Sequence, residues 1–295
     1  IIIGVVVLAI LVVGGIVISN SLSASALKAK ADGYTAALRA GGYDVTYETV
    51  ETTDDDGLVF TNAVLADTGD GWKLSAPRVL LTGADTAQVA LRISGEQQLQ
   101  YRAGGADHTA AMKSDGAQIN LQRDSAGRIT EAVADITGLA ITEGDAPPIT
   151  ARHVHLQLTR GSGDGAVPDG STLAVDVEEG KVPAFSTGPL GDTIASLSTE
   201  VAIQKALPDL RPAAALRAWQ AADGAANVTR LAVRWGLLNM EATGTLKLDG
   251  EGRPAGSLQA KVTDYFALID AFHAVQHFDT ALRANWYAVL LDEAG

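Results

Sequence analysis

TARHVHLQLT, residues 150–159, is the stretch whose reading decides the fold. Val154, Leu156 and Leu158 occupy one phase of a period-two alternation, and His153, His155, Gln157 and Thr159 the other. A helix would scatter both sets around its circumference, whereas a strand sends successive side chains to opposite faces. The segment therefore predicts a strand with one apolar and one wet face. The same rhythm extends outward. Leu258, Ala260 and Val262 alternate with Gln259, Lys261 and Thr263. Leu231, Val233 and Trp235 share a phase, with Arg230 and Arg234 opposite and Val228 out of step. Val89, Leu91 and Ile93 repeat the pattern upstream.

Strands are predicted over 43–53, 58–67, 72–82, 86–100, 108–114, 117–123, 128–136, 138–142, 150–159, 171–178, 193–203, 227–235, 237–248 and 255–263. Between them stand Asp70-Gly71, Gly104-Gly105, Asp115-Gly116, Ser125-Ala126-Gly127, Asp164-Gly165, Asp169-Gly170 and Asp249-Gly250, which supply the positive φ of hairpin turns. Helices are predicted over 211–222 and 264–278, the second opening on an Asp264 cap. The expected fold is mainly β: a long, curved antiparallel sheet, groove or half-barrel, with two or three short helices. These helices are too few to cover the apolar face. The sheet must curl over itself or leave an apolar groove for something else to fill.

The chain opens with IIIGVVVLAILVVGGIVISN, residues 1–20, whose first eighteen positions carry no charge. A membrane span takes about 20 apolar residues, against about 7–15 in a signal peptide, so the length favours an uncleaved anchor. Ala24-Ser25-Ala26 has the small-x-small form of a signal-peptidase site and marks the competing reading, while a soluble core helix is the third. Leu27 to Ala40 is rich in helix formers and ends at Gly41-Gly42. The expected organisation is a transmembrane anchor over 1–20, a helical stalk over 21–42 and an exported β-rich domain over 43–295.

Composition removes several functions. With a net charge of −13 there is no basic stripe for nucleic acid. The absence of Cys removes disulfides, thiolate metal sites and cysteine nucleophiles. His153 and His155 share a strand face, and Asp270, His273 and His277 share a helix face, which are metal-ligand types. Both groups also stand where patterning wants polar residues toward water, so no metal is expected. Asp54-Asp55-Asp56 and the Gly-rich and Asp-rich stretches at 143–146 and 161–170 lack EF-hand spacing. No G-x-S-x-G elbow occurs, and the Gly-rich stretches do not open helices as phosphate loops do. Nothing points to an enzyme or to a cofactor.

The order of apolar segment, stalk and strands, with GYDVTYETV (42–50), GWKLSAPRV (71–79) and above all the stretch 233–272, resembles a family of exported, membrane-anchored bacterial proteins known only as a domain of unknown function. Its architecture is more distantly similar to the AsmA-like group, a resemblance that implies curved periplasmic sheets whose apolar inner face handles phospholipid. Two functions are expected from these readings. The first is a single-pass bacterial inner-membrane protein, its C-terminal domain in the periplasm, that binds or transfers membrane lipids along an apolar groove. The groove would be lined by Val89, Leu91, Ile93, Val154, Leu156, Leu158, Leu231, Val233, Trp235, Leu258, Ala260 and Val262. The second is a non-catalytic accessory subunit docked on a larger inner-membrane protein complex. If the groove is open, a carboxylate at Leu156 or Val233 is expected to leave the fold standing, with Gln157 as the water-face control.

Overall fold

In the computed structural model the described residues are 43–53, 57–67, 71–83, 86–103, 105–125, 129–161, 170–183, 188–205, 212–251, 253–263 and 265–274, with the helical Ala36 and Arg39 before them. The expected anchor and most of the stalk lie outside them. Among the described residues no helix is long and apolar enough to cross a membrane.

The strands are β1 (Tyr43–Thr46), β2 (Thr49–Thr52), β3 (Leu58–Asp67), β4 (Trp72–Thr82), β5 (Gln88–Ser94), β6 (Gln97–Ala103), β7 (Ala106–Lys113), β8 (Gly116–Arg123), β9 (Ile129–Glu143), β10 (Ile149–Arg160), β11 (Ser171–Lys181), β12 (Thr193–Ile203), β13 (Ala226–Trp235), β14 (Leu238–Leu248) and β15 (Pro254–Thr263). Among the described residues the helices that follow β1 are α1 (Pro212–Ala221) and α2 (Tyr265–Ala274). All fifteen strands join one antiparallel sheet. Its connectivity is a meander, because β5 and β6 run consecutively along β4, and β7 and β8 consecutively along β9. Each of these couples is one long strand interrupted by a kink.

The kinks fall on one line. Asn62 in β3 (φ 46) stands opposite Pro77 in β4, Gly95 (φ 86) separates β5 from β6, and Ser114-Asp115 separates β7 from β8. Gly138 in β9 (φ 61) stands opposite Arg152 in β10, which faces Glu179 in β11 (φ 48). The line closes at β12 and β13 with a register shift between Ile194 and Ser196. In β9 the buried positions are Ala132, Ala134 and Ile136 before the line and Ile141 after it, so the inward phase changes from even to odd. The inward parity changes in the same sense in β3 and β4 and in the reverse sense in the antiparallel β10. From β3 to β4 and from β9 to β12, paired strands each slip one residue together, so the registers on the two sides stay aligned. The result is a transverse crease, since an irregular residue in a strand bends it and sharpens its twist. Arg152 donates to Glu179 Oε1 at 2.8 Å across it and also pairs with Glu178. Those two carboxylates hold the guanidinium's pKa above its ordinary value.

The crease corrects one sequence expectation. The predicted strands 128–136 and 138–142 are the single strand β9, and Gly138 is a kink inside it instead of a turn between two strands. Conversely, the predicted strand 43–53 breaks into β1 and β2. The helix predicted over 264–278 is described as Tyr265–Ala274, and its remainder lies outside the described residues. The core runs through β1 and β3 to β10, with Leu58, Leu99, Ala110, Val89 and Leu156 essentially without exposure.

Candidate functional site

Residues directly opposite in antiparallel strands point to the same face. Following the registers from strand to strand, Leu58, Leu81, Leu91, Ile119, Ala134, Leu156, Val175, Thr199, Leu231, Ala242 and Ala260 form one transverse row. A second row is Val50, Phe60, Val79, Ile93, Ala117, Ile136, Val154, Val177, Leu197, Val233, Met240 and Val262. A third is Val89, Leu121, Ala132, Leu158, Leu173, Val201, Val228, Gly244 and Leu258. Trp235, two residues beyond Val233, adds to the same face and donates its indole N–H to the Gly191 carbonyl at 2.8 Å. All twelve residues selected from the sequence therefore lie on one face. Thr199 is the single polar side chain in the three rows.

Cover over this face changes along the sheet. Val89, Leu91, Val154 and Leu156 are closed inside the core, with Ile93 and Leu158 packed against it. Val233 is also buried. Leu231, Trp235 and Val262 are half-buried, while Leu258 is 46% exposed and Ala260 is exposed. The rows thus begin as core, keep Val228, Val233 and Ala242 buried in β13 and β14, and are bare at β15. Leu156, at 0% exposure, is no open wall, and a carboxylate there would be buried without a partner; the expectation that the fold tolerates one at Leu156, or at buried Val233, does not stand. The members missed from sequence include Leu173, Val175, Val177, Leu197, Val201 and Met240 on the later strands and Leu58, Leu81, Ile119 and Ile136 on the earlier ones. Val228 joins the face because a bulge between it and Leu231 restores the phase that simple alternation denied it.

Leu74, Met112 and Leu139 from one side of the crease and Ile93, Ala117 and Ile136 from the other line a common cavity of about 40 Å³. The apolar face is therefore on the inside of the bend. Binding sites for organic molecules run to about 300–1,000 Å³, so this void is a packing gap at the fold line and no ligand chamber.

The opposite face is polar. Thr137, His153, Glu178, Ser196, Arg234, Asn239 and Thr263 make one row, and Gln118, Asp135, His155, Asp176, Ser198, Ala232, Glu241 and Lys261 the next. His155 Nδ1 lies 2.7 Å from Asp135 Oδ1, and His153 Nε2 lies 3.5 Å from the same oxygen. Among the described residues no group of three or more His, Asp or Glu is placed to hold a metal ion. The His273 side chain and all of His277 lie outside the described residues. A second polar group sits at the strand ends above the crease. Tyr101 donates to Glu143 at 3.1 Å and stacks on His108, whose Nδ1 is 2.6 Å from Glu143. Burial, then the Glu143 hydrogen bond and charge, push the Tyr101 phenol above its ordinary pKa. The raised pKa favours the protonated hydroxyl that donates to Glu143.

The outer hairpin is fixed by Asp249, which accepts from the Glu251 and Arg253 amides, each at 2.9 Å, and from Arg253 Nε at 2.8 Å. The Arg253 amide, then its guanidinium, hold this carboxyl below the ordinary carboxylate range. β15 is thereby pinned to β14 at its start, with its other edge unpaired among the described residues.

No curated protein matches this chain. A family model described as an uncharacterized protein conserved in bacteria matches residues 21–291, nearly the whole sequence. The chain belongs to that uncharacterised bacterial family, DUF2125.

Proposed function

We propose that this is a membrane-anchored lipid-binding or lipid-transfer protein of the bacterial envelope, its sheet on the periplasmic side and its apolar face forming a groove for acyl chains. The observation that carries the reading is the apolar face, broken in its three rows by Thr199 alone, which is core at β10 and bare at β15. An apolar surface open to water is costly, and an acyl chain laid on it leaves water at about 0.8 kcal/mol per methylene. Moving such a chain from bilayer to groove exchanges one apolar medium for another and needs no catalytic group. The apolar eighteen-residue start of the sequence supplies the anchor in this reading.

The test is a photoreactive residue placed at Leu258 or Val262, irradiated in cells, with extraction of lipid adducts. Adducts at both positions and none at the wet-face position Gln259 are expected. Adducts to protein alone would favour the second reading, an accessory subunit of an inner-membrane complex, which the exposed β15 and its edge, unpaired among the described residues, support.

A further inference from the structure

The two ends of the sheet differ in chemistry. The end holding the β4–β5, β12–α1 and β14–β15 connections carries Thr86, Lys205, Asp223, Asp249, Glu251 and Arg253. At the opposite end the β6–β7 and β9–β10 connections carry Arg102, Asp107 and Asp145, but over the last strands the β11–β12 connection carries Val182, Pro183, Pro189 and Leu190, and the β13–β14 turn presents Leu237 at 49% exposure. β15 finishes at this same end, because Thr263 pairs with Asn239, two residues beyond Leu237. α2 follows immediately. Tyr265 to Phe272 contain one charged residue, Asp270, yet none of these side chains is buried, and Phe266 is 69% exposed. A helix this apolar is ordinarily covered by core or by lipid. The described sheet also begins here, since Tyr43 pairs with Asp67 at the start of β1, and the uncharged stretch 1–18 precedes it in sequence.

We propose that this end of the sheet is a membrane-docking surface, with Leu237, Phe266 and the exposed side of α2 entering the interfacial layer of a phospholipid bilayer. The partner is the lipid surface itself, met by apolar contact. Beside it Lys181 pairs with Asp192 at 3.6 Å, and farther along this end Arg102 pairs with Asp107 while Glu143 and Asp145 add negative charge, so no cationic patch faces anionic headgroups. Docking then depends little on salt, as expected of insertion and not of electrostatic attraction. The inference rests on the membrane-anchored reading, and it sets the open groove with one end of its strands against the bilayer.

The natural absence of Cys makes single-site labelling direct. Leu237→Cys and Phe266→Cys, with Glu251→Cys and Asp223→Cys as controls at the far end, are labelled with an environment-sensitive fluorophore in the full chain. The proteins are reconstituted into phosphatidylcholine vesicles carrying a nitroxide quencher on the upper acyl chain. Severalfold stronger quenching at 237 and 266 than at 251 and 223, unchanged between low and high salt, is the expected result. Equal quenching at all four positions, or none at 237 and 266, overturns the proposal. So does a blue shift at 237 and 266 that depends on protein concentration without vesicles, which assigns the surface to a second copy of the chain. If 237 and 266 fail but photoadducts still form at Val262, the groove reading survives alone; quenching without adducts leaves the docking surface alone.

Discussion

Leu156 and Leu258 stand on the same face in neighbouring rows, yet one is sealed and the other is 46% exposed. The sequence alternation around each is equally clean, because alternation records which side a residue points to and not what lies across from it. Their substitutions separate core from surface. Leu156→Ala should cost about 3 kcal/mol, the usual range for a truncated buried leucine, whereas Leu258→Ala should stay within about 0.5 kcal/mol. Urea denaturation of the purified variants checks this, and equal losses would place both residues in one closed core. The histidines illustrate the complementary case. The alternation puts His153 and His155 in the wet phase, and they stand in the polar rows around Asp135. Their contact with a carboxylate on β9 was not readable, since nothing local links position 135 to position 155.

At the scale of the strand, the crease is the feature that sequence conceals. It is built from Asn62, Pro77, Gly95, Gly138, Arg152 and Glu179, residues without a common type or spacing. Each looks like an isolated irregularity, and Gly138 reads naturally as a break between strands. Only the registers align them. Strand existence and phase were readable along most of the chain because one face is consistently apolar, and the joining of β9 was not because a positive φ inside a strand mimics a turn. The consequence is testable at Gly138. A Cβ there would come within 2.1 Å of Asp115 Oδ2, and the φ of 61° is itself unfavourable for a branched side chain. Gly138→Val should destabilise by about 1–3 kcal/mol. Adding Asp115→Gly should recover the steric part and leave the backbone part, so the double variant should fall between the parent and the single one. No loss in Gly138→Val would mean the crease is not fixed by this residue.

Across the whole molecule, stability should be graded from one lateral side to the other. β3 to β10 enclose the buried cluster, while β14 is only half-covered on one face apart from buried Ala242 and β15 holds its hydrogen bonds with little apolar cover on either face. Amides in thinly covered elements exchange through local openings that cost less than global unfolding. Hydrogen exchange of the purified chain should therefore find the paired amides of β14 and β15 about tenfold or more faster than those of β9 and β10. Apolar cover supplied from outside must raise that opening cost, because a ligand bound to the closed form stabilises it in proportion to its occupancy. Phospholipid added to the detergent-free protein should slow exchange in β13 to β15 and leave β9 and β10 unchanged. A uniform exchange profile without lipid would show that the far strands are as well covered as the core. A graded profile that lipid does not alter would show that the bare face belongs to something other than an acyl chain.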